Sequence, residues 1–260
     1  MEQGGIDELL AEAAGFGNCG VCPYLQGGTP ELCLRCARRT VEPLAPVDRR
    51  CGVCDQTYQA GLTECKNPVC RMTERWFEWN YAVAIRSGVL EVSIKRFKYE
   101  GKHGWAAIFG RILVGFLDSE ERLFSDTDLI VASPAYTGPG AHRSWDYAHD
   151  ILVAASREQR PPSDWPFDLT MPPAVIKTAE TEPMARIKTY QERRPHAETA
   201  IRGALLVPDP ERVRNKVVLV VDDTFTDGLT LREVARALQL QGGARLVRGV
   251  TLTRQPYGRR

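Results

Sequence analysis

Asp222 and Asp223 close a run of five apolar, mostly β-branched residues, Val217 to Val221, and are followed by the small-residue segment Thr226-Asp227-Gly228-Leu229-Thr230. Paired carboxylates accept hydrogen bonds from sugar hydroxyls. A Thr/Gly turn that opens a helix gathers unpaired amides at the positive end of the helix dipole, where an anion is stabilised. Acid pair and anion cradle side by side suit a phosphorylated pentose. The elements that must position them are readable. The apolar run suits a strand buried on both faces of a parallel sheet, and open α/β sheets collect ligands at the carboxyl ends of their strands. Behind the turn, Leu231, Val234, Ala235 and Leu238 recur at helical spacing, with Gly242 as the stop.

This stretch resembles the phosphoribosyl-pyrophosphate (PRPP) motif of type I phosphoribosyltransferases. The resemblance implies that Asp222 and Asp223 are the catalytic acids, bound to the ribose 2′- and 3′-hydroxyls. It also implies that Thr224, Thr226, Asp227, Gly228, Leu229 and Thr230 bind substrate around the 5′-phosphate, and that Mg²⁺ rides on the diphosphate and ribose. One position departs from the pattern: Asp227 stands where a threonine is usual. A carboxylate a few ångströms from a phosphate costs roughly several kcal/mol at an effective dielectric near 20, unless it turns outward or takes a proton.

The eight cysteines all precede Arg71, as Cys19-x2-Cys22-x10-Cys33-x2-Cys36 and Cys51-x2-Cys54-x10-Cys65-x4-Cys70. Both units begin Cys-Gly-Val-Cys, and the second starts 32 residues after the first, so this is an internal repeat. Paired CxxC turns complete all-sulfur tetrahedral shells for zinc, and residues 1–16 lack the pattern of a secretory signal that disulfides would call for. Two structural zinc sites are expected, with no open coordination position. Sequential pairing follows from a self-contained repeat, and a cross-braced pairing stays open.

Acids and bases nearly cancel between Glu31 and Glu78, and the chain as a whole carries a formal charge of +1, which filled zinc sites would make acidic. That is a poor footprint for a general nucleic-acid binder. No apolar run approaches the roughly eighteen residues of a membrane span. A cytoplasmic protein is expected.

Three segments follow from composition: a short N-terminal helix over 1–16, tandem zinc modules over 17–75, and a larger α/β domain over 76–260. Within the last, Glu74 to Ser87 reads as an aromatic-rich bridging helix. Trp105 to Leu117 is a strongly patterned helix, Leu129 to Ala132 a buried strand, Ser133 to His142 a Pro/Gly-rich loop, and Arg143 to Arg157 a helix. Short strands at Ala174–Ile176 and Ala204–Val207 flank a long polar stretch, and Leu246 to Thr253 closes a parallel, doubly wound sheet.

Zinc knuckles, then Lys98-Tyr99-x-Gly101, then this domain together resemble the competence ComF family of bacterial proteins. By that resemblance Pro134, Ala135 and Tyr136 stand at the pyrophosphate loop and Arg143 ends it. The second zinc unit, and Ser144-Trp145-Asp146 after Arg143, depart from the pattern. The expected chemistry is phosphoribosyl transfer from PRPP, a reaction carried by positioning and by donors aimed at the departing diphosphate. The polar segment from Lys177 to Arg202, with Arg186, Lys188, Arg193 and Arg194, has the charge for a lid. A rival reading is a PRPP- or nucleotide-binding protein that catalyses nothing, and a third is a DNA-processing accessory that docks a protein partner through its zinc modules. The four histidines show no ligand spacing.

Overall fold

The computed structural model describes residues 28–58 and 64–257. Cys19, Cys22 and the helix expected over 1–16 lie outside the described residues.

Helix α1 (Pro30–Arg39) starts on an N-cap, Thr29, whose hydroxyl accepts from the Leu32 amide, with Pro30 preset for the first turn and Arg38 and Arg39 at the negative end. Strand β1 (Asn80–Ile85), helix α2 (Gly88–Tyr99) and helix α3 (Ala106–Ser119) follow, then β2 (Leu129–Ala132) and α4 (Tyr147–Glu158). After β3 (Ile176–Lys177) come α5 (Tyr190–His196), a π-turn over 197–201 and β4 (Leu205–Leu206). Strand β5 (Val217–Phe225), α6 (Leu229–Leu240) and β6 (Leu246–Arg254) end the described chain.

The main sheet is parallel throughout, in the order β1-β6-β5-β2, so β5 is an inner strand and its carboxyl end opens between two neighbours. Alternate side chains of β5 serve opposite faces. Leu219 and Val221 join the core made with α1, α3 and α4, whereas Val218 and Val220 join the one made with α6 and the cysteine module. Helix α3 is buried along most of its length, with α1 on one side and α4 on the other. Two glycines allow these approaches: a Cβ on Gly115 would meet the Pro30 carbonyl at 2.5 Å, and one on Gly110 the Ala155 amide at 2.6 Å. No helix among the described residues is long and apolar enough to cross a membrane.

The helix expected over Glu74 to Ser87 is instead strand β1, paired in parallel with β6. Tyr81, Val83 and Ile85 favour a strand, Ala82 and Ala84 do not, and burial against β6 and the core decides it. The helix expected from Arg143 begins at Tyr147, because Asp146 caps it by accepting from the His149 amide, which leaves Arg143 on the loop. The two short strands pair only with each other, antiparallel, outside the main sheet. The polar stretch between them is not all loop: Thr189 and Glu192 form a capping box that starts α5.

Candidate functional site

A cleft of about 1090 Å³ opens at the carboxyl ends of the parallel strands. Asp222, Asp223, Thr224, Thr226, Asp227, Gly228, Thr230, Pro134, Ala135, Tyr136 and Arg143 all line it. Leu229 does not; its side chain is buried in the core beneath. The acids lie within β5 rather than after it, with Asp222 opposite Thr251 and Thr224 opposite Thr253, so the sheet itself fixes their direction. Successive residues of a strand point oppositely, and the two carboxylates accordingly have different surroundings.

Asp223 is 4% exposed and pairs with Lys98 Nζ at 2.8 Å, while Thr224 Oγ1 donates to its other oxygen at 2.8 Å. Asp222 accepts from the Asp223 amide at 2.8 Å and from Tyr147 Oη at 3.3 Å. Burial at the cleft floor, with the Asp223 charge beside it, raises Asp222 to about 7. Burial acts on Asp223 in the same sense, but Lys98 and its hydrogen bonds prevail and hold it well below the usual carboxylate range. Burial thus favours the neutral form of Asp222 while Lys98 keeps Asp223 ionised.

Lys98 was visible in the sequence only within the Lys-Tyr-x-Gly element, and its work is to hold Asp223 ionised. The next wall is a stack of cations and rings. Arg143 lies over Tyr99 at 5.2 Å and over Tyr147 at 4.9 Å, donates to Tyr99 Oη at 3.2 Å, and has no carboxylate within 4.0 Å among the described residues. Lys98 Nζ also stands over the ring of Tyr147, 4.3 Å from its centroid. Lys177 also lines the cleft, donating to Thr181 Oγ1 at 2.7 Å, and burial lowers the pKa of its ammonium. Guanidinium and ammonium with no carboxylate in contact, facing one cleft, suit an anionic ligand.

The turn after β5 uses Gly228 at φ +86°, a left-handed conformation that favours glycine, and a Cβ there would lie 2.4 Å from Phe225 Cζ. Asp227 neither turns outward nor stands uncompensated. It is 4% exposed, its Oδ1 accepts from the Leu229 amide at 3.1 Å, and its Oδ2 is in ion contact with Arg193 Nη1 at 2.8 Å. Arg193 comes from α5, inside the segment whose charge suggested a lid, and is itself buried. Nothing in the sequence linked these two residues.

Beside this turn sit Cys51, Cys54, Cys65 and Cys70, their sulfurs all within 4.8 Å of one another. The Cys54–Cys65 and Cys51–Cys70 separations are 3.6 and 3.8 Å. Four sulfurs at about 2.3 Å from a tetrahedral zinc lie roughly 3.8 Å apart, so the cluster can hold such a metal ion. The Asn67 amide points at Cys65 Sγ at 3.4 Å, the kind of donor that steadies a thiolate. The thiol of Cys51 is drawn strongly downward by hydrogen bonds from the other three, while the same contacts push Cys70 up. For this second unit the pairing is sequential. In the first unit, Cys33 and Cys36 lie on α1, Cys33 buried against the α3 core, and their expected partners fall outside the described residues.

No protein-family model matches this chain, and no curated protein matches it significantly. What the site does must be argued from its geometry.

Proposed function

We propose that the cleft binds a 5-phosphoribosyl compound, with PRPP carrying Mg²⁺ as the ligand, in the manner of the type I phosphoribosyltransferases and ComF-like proteins that the sequence resembles. One observation carries the reading: a buried acid pair, Asp223 held by Lys98 and Asp222 by the Tyr147 hydroxyl, ends a strand that runs straight into a left-handed glycine turn opening a helix. Asp222 and Asp223 would accept from the ribose 2′- and 3′-hydroxyls. The amides from Thr226 to Thr230 would face the 5′-phosphate. Arg143, set over two tyrosine rings, and Lys177 offer donors to the diphosphate. The carboxylate oxygens of the acid pair fit a hard cation, and Mg²⁺ bound with the diphosphate would neutralise charge as it departs. In transfer, the C1–O bond to diphosphate breaks, an oxocarbenium-like sugar forms, and the acceptor closes the new bond.

Asp227 favours a second reading, in which the cleft binds the same ligand without turnover. Its carboxylate holds one amide of the cradle and neutralises Arg193, two groups a phosphate would otherwise use. Calorimetry with PRPP and Mg²⁺ tests both readings. Micromolar binding that is lost in Asp222→Asn/Asp223→Asn supports the pocket, and pyrophosphate release with a panel of acceptor bases separates transfer from binding. Absence of binding to the wild-type chain refutes both.

A further inference from the structure

We propose that metal occupancy of the Cys51–Cys54–Cys65–Cys70 site controls the conformation of the Thr226–Gly228 turn, with Arg254 as the strut between them. Arg254 ends β6 and is 1% exposed. Its Nε donates to the Cys54 carbonyl at 2.7 Å and its Nη2 reaches Cys54 Sγ at 3.5 Å. From the same guanidinium, Nη1 donates to the carbonyls of Phe225 at 3.0 Å and Thr226 at 2.7 Å, and to that of Gln255. One planar group thus fastens a cysteine knuckle to the backbone that leads into the glycine turn.

Charge makes the coupling more than a contact. A guanidinium this deeply buried needs a counter-charge, yet no carboxylate among the described residues lies within 4.0 Å of Arg254. A dication held by four thiolates carries a formal net negative charge, and one of those sulfurs is the atom Arg254 touches. Asp55 acts on this arginine only from beyond contact distance, so a loaded centre would be the anion that touches it. A second tie runs alongside: Val69, fully buried in the turn between Cys65 and Cys70, packs so closely that a Cβ on Gly228 would stand 3.1 Å from its Cγ1. A third joins Arg232, in the first turn of α6, to the Glu74 carbonyl at 2.9 Å. Removing the metal takes away the tetrahedral clasp and the settled negative charge together, and the turn loses what holds its carbonyls. Arg254 acts here as a positioning residue.

Hydrogen exchange on the zinc-loaded full chain tests this without any cleft ligand, so the ribose-phosphate reading and the coupling can fail separately. Stripping zinc with a chelator should speed exchange over 225–231 by about tenfold or more, with recovery on adding zinc back, while 217–221 and 129–132 stay protected. Unchanged exchange over 225–231 overturns the proposal. So does loss of protection throughout the sheet, which would make the metal a support of the whole fold. Arg254→Lys keeps a cation but not the planar fork, and should loosen 225–231 with zinc content unchanged. Should that variant not fold, the stripped and reloaded wild type carries the test.

Discussion

Lys98 and Asp223, far apart in sequence, form an ion pair of 2.8 Å on the floor of the cleft, the lysine reaching down from the last turn of α2. Breaking a buried pair leaves one charge stranded at a cost of about 3–5 kcal/mol, discounted here toward the lower end because Lys98 is 13% exposed. Lys98→Met should therefore lower stability at pH 8. Asp223 has a depressed folded-state pKa, so the stability it contributes is present above about pH 4, the unfolded value, and fades as pH falls below that. Urea titrations at several pH values should show the difference between variant and wild type shrinking toward acid. An equal loss at every pH would mean that packing, not charge, is what Lys98 supplies.

Asp222 has the opposite sign. Its folded value of about 7 exceeds the unfolded value of about 4, so between these the folded chain holds more protons and stability falls as pH rises. Asp55, raised to about 6 by burial against the opposing pull of Arg50, adds a fall of the same sign. Asp222→Asn should remove its share, making the variant more stable than wild type at pH 8, by up to about 4 kcal/mol, and no different near pH 4. Denaturation at those two pH values checks the prediction.

Asp227→Thr restores the residue usual in the motif but strands the buried Arg193 guanidinium. The expected result is a stability loss of about 2–4 kcal/mol with tighter binding of inorganic phosphate and PRPP, since Arg193 and the Leu229 amide become available. Adding Arg193→Met should recover stability and abolish the gain in affinity. Thermal melts with and without phosphate separate the two effects.

Metal analysis of the full chain should return two zinc ions, one for each half of the cysteine repeat. Cys54→Ala should lower the count by one. A wild-type value of one or zero would contradict the repeat argument.

The strand Leu129–Ala132, the helix after Gly228 and the strand from Leu246 were legible because each buries an unambiguous apolar pattern. Strand β1 was not, since its two alanines and the run of aromatics before it masked the alternation of Tyr81, Val83 and Ile85, and its pairing with β6 decides it. The acid pair and the cysteine cluster were legible as local spacings. The partners of Lys98, Tyr147, Arg193 and Arg254 were not, because each pair is brought together by the fold alone.

The outer rim of β1 is where the cysteine knuckle does something else. The Asn80 amide donates to the Val53 carbonyl at 2.8 Å, and the Ala82 amide to Asp55 Oδ2 at 3.0 Å. These are the backbone donors that a border strand would otherwise present to another molecule. The knuckle thus occupies the one border of the sheet along which another copy of the chain could add a strand beside β1.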